Sequence, residues 1–139
     1  MDGSTVALVV AVLVIGILIF VAILVTGKRG HHFNIEEYQT RFLKIENTFK
    51  KDNKLSYAVT VTEADKLLDK ALIEAGIMGK TMGERLKKCT GRFEDLDAVW
   101  RAHKLRNLIA HETDFEVSYI QAKNALEIYK KALKDLGAI

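Results

Sequence analysis

Between Trp100 and Glu112 the chain reads Trp-Arg-Ala-His-Lys-Leu-Arg-Asn-Leu-Ile-Ala-His-Glu, and several chemically able side chains sit there inside an apolar helical pattern. His103, Asn107 and His111 recur every four residues, so on a helix their side chains lie along one line. Arg106, three residues after His103, flanks that line. Histidine titrates near neutrality, whereas arginine keeps its charge at any physiological pH. Together they suit cleavage of an RNA strand. Imidazole can take the proton of a 2′-hydroxyl or return one to the leaving oxygen, and guanidinium can hold the extra charge of a phosphorane-like transition state. The same residues also have an architectural reading, as a hydrogen-bonded polar layer that fixes helix register or as a helix C-terminus satisfied by a basic side chain. Spacing alone leaves both open.

A metal centre fits this pattern less well. His103 and His111 are eight residues apart, and His111-Glu-Thr-Asp-Phe115 is not the His-Glu-x-x-His pattern of metalloproteases. His31 and His32 are adjacent, so their side chains point apart with no third ligand near, as expected of a solvated pair. The single cysteine, Cys89, excludes an internal disulfide and any multi-cysteine metal site, and it reads as a small core residue. No metal and no cofactor is expected.

The helix that carries these residues, expected from about Glu94 to Glu112, has two buried-looking sides. At 100° per residue, Ala98, Ala102, Leu105 and Ile109 fall on one side, with Leu108 at its edge. Leu96, Val99, Trp100, His103, Arg106, Asn107 and Ala110 fall on the other, with His111 at its margin. A surface helix needs one apolar stripe. Two stripes imply a helix that runs through the middle of the body, or one that packs on the core with one face and on a second molecule with the other.

Four further helices are expected around it. Asn34 caps a helix whose Ile35, Tyr38, Phe42, Ile45 and Phe49 form one stripe, fading at Lys50 to Lys54. A second runs from about Leu55 to Ala75. It takes in the β-branched Val59-Thr-Val-Thr62 because Ala64, Leu67, Leu68, Ala71, Leu72 and Ala75 keep helical spacing; Thr60 and Glu63 offer a capping box should it start late. Gly76 and Gly79 bracket its end. Thr81-Met-Gly-Glu84 fits a capping box for a short helix ending near Gly91. A last helix is expected after Thr113-Asp114, with Glu116 in its first turn and Gly137 as its stop. There is no proline in the 139 residues, nor any repeat. The expectation is an all-α protein, a single N-terminal transmembrane helix followed by a four- to five-helix antiparallel bundle.

The anchor, residues 1–27, holds an uncharged run from Val6 to Thr26 broken only by Gly16. At 1.5 Å per residue it spans about 30 Å, the thickness of a bilayer's hydrocarbon layer. A cleaved signal peptide would carry positive charge before its apolar core and a small-x-small site after it, and this run has neither. Residues 28–33 read as a juxtamembrane linker and 34–139 as the body. Lys28 and Arg29, with Arg41 and Lys44 further on, predict an outward N-terminus and a cytoplasmic body at the cell membrane. The lone cysteine agrees with a reducing compartment. All 21 Lys and Arg, and all acids except Asp2, follow Gly27, so the part from Lys28 carries a formal +4. That mild excess is compatible with RNA or an anionic lipid surface and argues for neither.

Arg106-Asn-Leu-Ile-Ala-His111 resembles the signature of the HEPN superfamily: an arginine, four to six residues, then a histidine, often with asparagine directly after the arginine. The expected setting is similar too, a bundle of four or five helices with the motif near the end of the helix before the last. The resemblance extends over roughly residues 35 to 136, although its specific part is those six residues. It implies a metal-independent endoribonuclease whose composite site forms where two domains pair. Carried over by position, His111 would be the general acid or base, Arg106 the phosphate and transition-state contact, and Asn107 the positioning residue. His103 and Lys104 lie outside the motif and join from the helical wheel, as a second polar group and a backbone contact. The expected partners are membrane lipid through the N-terminal helix, RNA, and a second copy of the chain in a homodimer. Members of the superfamily without nuclease activity keep an alternative open, a non-enzymatic membrane-tethered adaptor whose mixed face binds another protein.

Overall fold

Phe33, Asn34 and Tyr38 show how local sequence starts the body. The Asn34 side chain accepts a hydrogen bond from the Glu37 backbone N–H at 3.1 Å. Phe33, one residue before the cap, sets its ring edge-on to Tyr38 at 5.6 Å between centroids. An apolar residue just before the cap and another four after it staple the helix entry. Phe33 therefore belongs to the body, although the linker was expected to run to residue 33.

The computed structural model describes residues 2–26 and 32–139; most of the expected linker lies outside them. The described residues form six helices and no strand. α1 (Gly3–Thr26) stands as its own unit, apart from a body made of α2 (Ile35–Thr48), α3 (Lys54–Glu74), α4 (Met82–Leu86), α5 (Leu96–His111) and α6 (Tyr119–Asp135). Gly3–Ala22 of α1 is long and apolar enough to cross a membrane, and its side chains are exposed.

The central helix of the body is α3, not α5. It packs against α2, α4, α5 and α6, whereas α5 packs against α3, α4 and α6. α3 buries Tyr57, Val61, Ala64, Leu67, Leu68, Ala71 and Leu72. Each fully buried leucine contributes about 1.5–3 kcal/mol relative to exposure. The β-branched stretch Val59 to Thr62 is helical as expected, because tertiary burial outweighs a weak propensity. The helix starts early, capped by Asn53, whose side chain accepts from the Leu55 N–H at 3.1 Å. The alternative start at Thr60 is not used. α6, which packs against α3, buries Ala122, Ala125, Leu126, Tyr129, Ala132 and Leu133.

Gly76 and Gly137 end α3 and α6 in the same way. With φ of 74° and 77° they occupy the left-handed region, and the following residues close the turn: Ile77 N–H bonds Leu72 O at 3.0 Å, and Ala138 N–H bonds Leu133 O at 2.9 Å. Ile77 and Ala138 are both buried there.

α6 begins later than the composition around Thr113-Asp114 suggests. Ser118 accepts from the Gln121 N–H at 3.2 Å while the Gln121 side chain accepts from the Ser118 N–H at 2.9 Å, a reciprocal box that sets the first turn. Glu116 lies before the helix, in a connection pinned by buried Val117 and half-buried Phe115. Ser118→Ala should therefore lower stability by about 1 kcal/mol, whereas Asp114→Ala should stay within about 0.5 kcal/mol, both read from urea unfolding followed by circular dichroism. Equal effects would contradict this helix start.

Candidate functional site

The site grows from a carboxylate in the wrong company. Asp65 falls within the apolar stripe of α3, between Val61 and Leu68, and is 3% exposed. A buried charge needs partners, and two other helices supply them. His103 of α5 places Nδ1 2.8 Å from Asp65 Oδ1, and the Tyr129 hydroxyl of α6 donates to the same oxygen at 2.9 Å. Since a carboxylate only accepts, the His103 proton sits on Nδ1. Arg106 Nε stands 3.5 Å from Asp65 Oδ2, an ion pair rather than a hydrogen bond. That Nε is buried with no hydrogen-bond acceptor. The guanidinium is held from its other end, where Nη1 donates to Asn107 Oδ1 at 3.2 Å. Burial, and then the Asp65 charge, push the Tyr129 hydroxyl far above the usual tyrosine range.

One turn along α3, Asp69 repeats the device. Arg85 of α4 meets it with two parallel hydrogen bonds, Nε to Oδ1 and Nη2 to Oδ2, each 2.7 Å. The Arg85 Nη1 donates to the Gly79 carbonyl. Hydrogen bonding to Asp69 raises the Arg85 pKa against the cost of burial. Gly79 is needed for this approach: a Cβ there would lie 3.0 Å from both Cγ and N of Arg85. The first turn of α4 is fixed by Thr81, which accepts from the Glu84 N–H at 3.2 Å; the Glu84 side chain reaches back to the Lys80 N–H at 2.7 Å. Cys89, just after α4, is fully buried, and burial raises its thiol pKa, so it is protonated and inert at neutral pH.

These contacts leave an open cleft of about 770 Å³ between α3, α4 and α5, with Arg106, Asn107 and His111 along one wall. Lys80, Lys87 and Lys104 also line it, and among the described residues no carboxylate pairs with their ammonium groups. The five residues named by the sequence thus separate. His103 is buried and tied inward to Asp65. Arg106 and Asn107 are half-buried, and the amide of Asn107 holds the guanidinium. Lys104 is exposed at the rim. His111, the last residue of α5, is exposed, and its imidazole makes no hydrogen bond within the described chain. Among the described residues, no three of His, Cys, Asp and Glu gather as a metal site would require.

Sequence reasoning missed Asp65, its partner Tyr129 and the Asp69–Arg85 pair. Asp65 did leave a signal, a lone carboxylate at a core position of a helical stripe. Asp69, four residues on, shares its line.

Removing one partner from a buried ion pair leaves an uncompensated charge, so Asp65→Asn should cost about 3–5 kcal/mol, read by urea unfolding at neutral pH. The raised Tyr129 pKa carries its own sign. The fold favours the protonated hydroxyl, so its contribution is full below the ordinary tyrosine value of about 10 and is lost as pH rises above it. Tyr129→Phe should lower stability by about 1–3 kcal/mol at neutral pH yet reduce the further loss above pH 10, leaving the part due to the other groups with raised pKa: Tyr38, held up by burial and by Glu74, Cys89, Lys70 and Lys131. An unchanged alkaline slope would contradict the assignment. Set against protein-family models, curated proteins and solved structures, the chain finds no match in any of the three.

Proposed function

We propose that this chain is a membrane-anchored, HEPN-like domain that binds RNA and cleaves it without a metal, acting as a homodimer at the cytoplasmic face of the membrane. The observation that carries the reading is that Arg106, Asn107 and His111 share one open cleft with three unpaired lysine ammonium groups. Such a cleft attracts a phosphodiester backbone. Antiparallel packing of the five body helices belongs to the same proposal, as does α1 crossing the bilayer with its N-terminus outside.

The chemistry follows from the side chains. His111 removes the proton of a ribose 2′-hydroxyl, and the freed oxygen attacks the adjacent phosphorus. Arg106, oriented by Asp65 and Asn107, balances the charge gathering on the phosphoryl oxygens. The bond to the 5′-oxygen breaks, and that oxygen takes up a proton, leaving a 2′,3′-cyclic phosphate and a 5′-hydroxyl. A second proton carrier is required. His103 lies two turns away, about 12 Å along the helix axis, too far to flank the same phosphate. The second imidazole is therefore His111 of another copy, which is the physical reason for the dimer.

The burial of His103 against Asp65 favours a second reading, a tethered adaptor in which the polar layer only fixes helix register. The two separate cleanly in one experiment. The full chain in detergent micelles with EDTA should cleave unpaired RNA, and His111→Ala should slow it by about 10²–10⁴-fold while helicity is kept. Undiminished cleavage in His111→Ala or Arg106→Ala would overturn the mechanism. No cleavage by the parent chain would favour the adaptor.

A further inference from the structure

The chain contains one tryptophan, and it stands between two cavities. Trp100 lines the cleft of Arg106 and His111, and it also lines a smaller, more open hollow of about 540 Å³ whose other walls are Asp97, Arg101 and Lys104. Those four residues fall at i, i+3, i+4 and i+7 along α5 and so form a single stripe. The indole is half-buried and braced. The outer atoms of its six-membered ring lie beside Gly83, close enough that a Cβ there would be 3.7 Å from Cη2 and 3.8 Å from Cζ3. His103 meets it edge to face at 6.1 Å. A braced aromatic surface beside free cations suits an unpaired nucleobase, because every base has a stacking face and every phosphate a charge.

Asp97 decides which base. It is exposed, and no donor engages its carboxylate among the described residues. A carboxylate offers two acceptor oxygens side by side. Guanine presents two N–H donors in parallel on its Watson–Crick edge, which such a pair can take together. Adenine and cytosine place an acceptor beside their amino group, and uracil flanks its single N–H with two carbonyls, so each sets an acceptor against the carboxylate. Lys104 lines both cavities, and Arg101 is engaged only by a long, exposed contact of 3.6 Å to Asp95. Both are free to follow a backbone running from the hollow into the cleft.

We propose that Trp100 and Asp97 form a subsite for one unpaired guanine of the RNA strand, with Arg101 and Lys104 on the neighbouring phosphates. This rests on the reading of the cleft as an RNA site and assigns it a base preference. The test needs no catalysis, because stacking on the sole tryptophan quenches its emission. Full-length chain in detergent micelles is titrated with two fluorescein-labelled hexaribonucleotides, one all uridine and one with a single guanine. Anisotropy reports binding, and indole emission is followed with the unlabelled strands. The guanine strand should bind about tenfold tighter and quench the indole strongly. Asp97→Asn, an exposed change that leaves the fold alone, should bring the two affinities within about twofold while keeping the quench. Trp100→Leu should weaken both strands, with circular dichroism checking its fold. Equal affinities with no quench would overturn the subsite and leave the RNA reading standing, whereas no binding of either strand would overturn both.

Discussion

A single buried carboxylate holds the body of this protein to its geometry. Asp65 lies among leucines and valines where an unpaired charge would cost several kcal/mol, so its neighbours must supply donors. They come from two different helices, His103 on α5 and Tyr129 on α6, with the Arg106 guanidinium alongside. Because each donor has a narrow range of useful geometry, α5 and α6 cannot rotate or slide against α3 without breaking one of them. Apolar contacts make the body stable, and this polar contact makes it particular.

The same interaction shapes the site. It ties His103 Nδ1 inward at the cleft wall and draws the Arg106 guanidinium against the helix while leaving part of it exposed. Asn107 finishes the task from the other end. The Asp69–Arg85 pair one turn away fastens α4 as the opposite wall, and Gly79 provides the room for it. Polar chemistry inside the body thus serves to place a few side chains at its edge.

What the sequence made legible follows the range of the forces involved. Helix periods and caps are local, and Asn34, Thr81, Gly76 and Gly137 act where the pattern of residues placed them. The start of α6 was missed because Thr113-Asp114 and Ser118 both look like caps, and only the reciprocal bond with Gln121 separates them. That α3 rather than α5 runs through the middle was not legible, because a wheel shows which faces are apolar but not which neighbours cover them. Asp65 was missed because its partners lie 38 and 64 residues along the chain, beyond any local pattern. His103, Lys104, Arg106, Asn107 and His111 were legible as a cluster on one helix. Their division into buried, half-buried and exposed depends on α3 and α6, which the motif does not contain.

That division has a consequence for the resting protein. The guanidinium of Arg106 is pre-set, whereas the imidazole of His111 is exposed and bonded to nothing in the described chain. Its two side-chain torsions are free, and confining them costs on the order of 1 kcal/mol of rotational entropy. In a lone chain the His111 imidazole is therefore unaimed, and any restraint on it must come from whatever occupies the cleft.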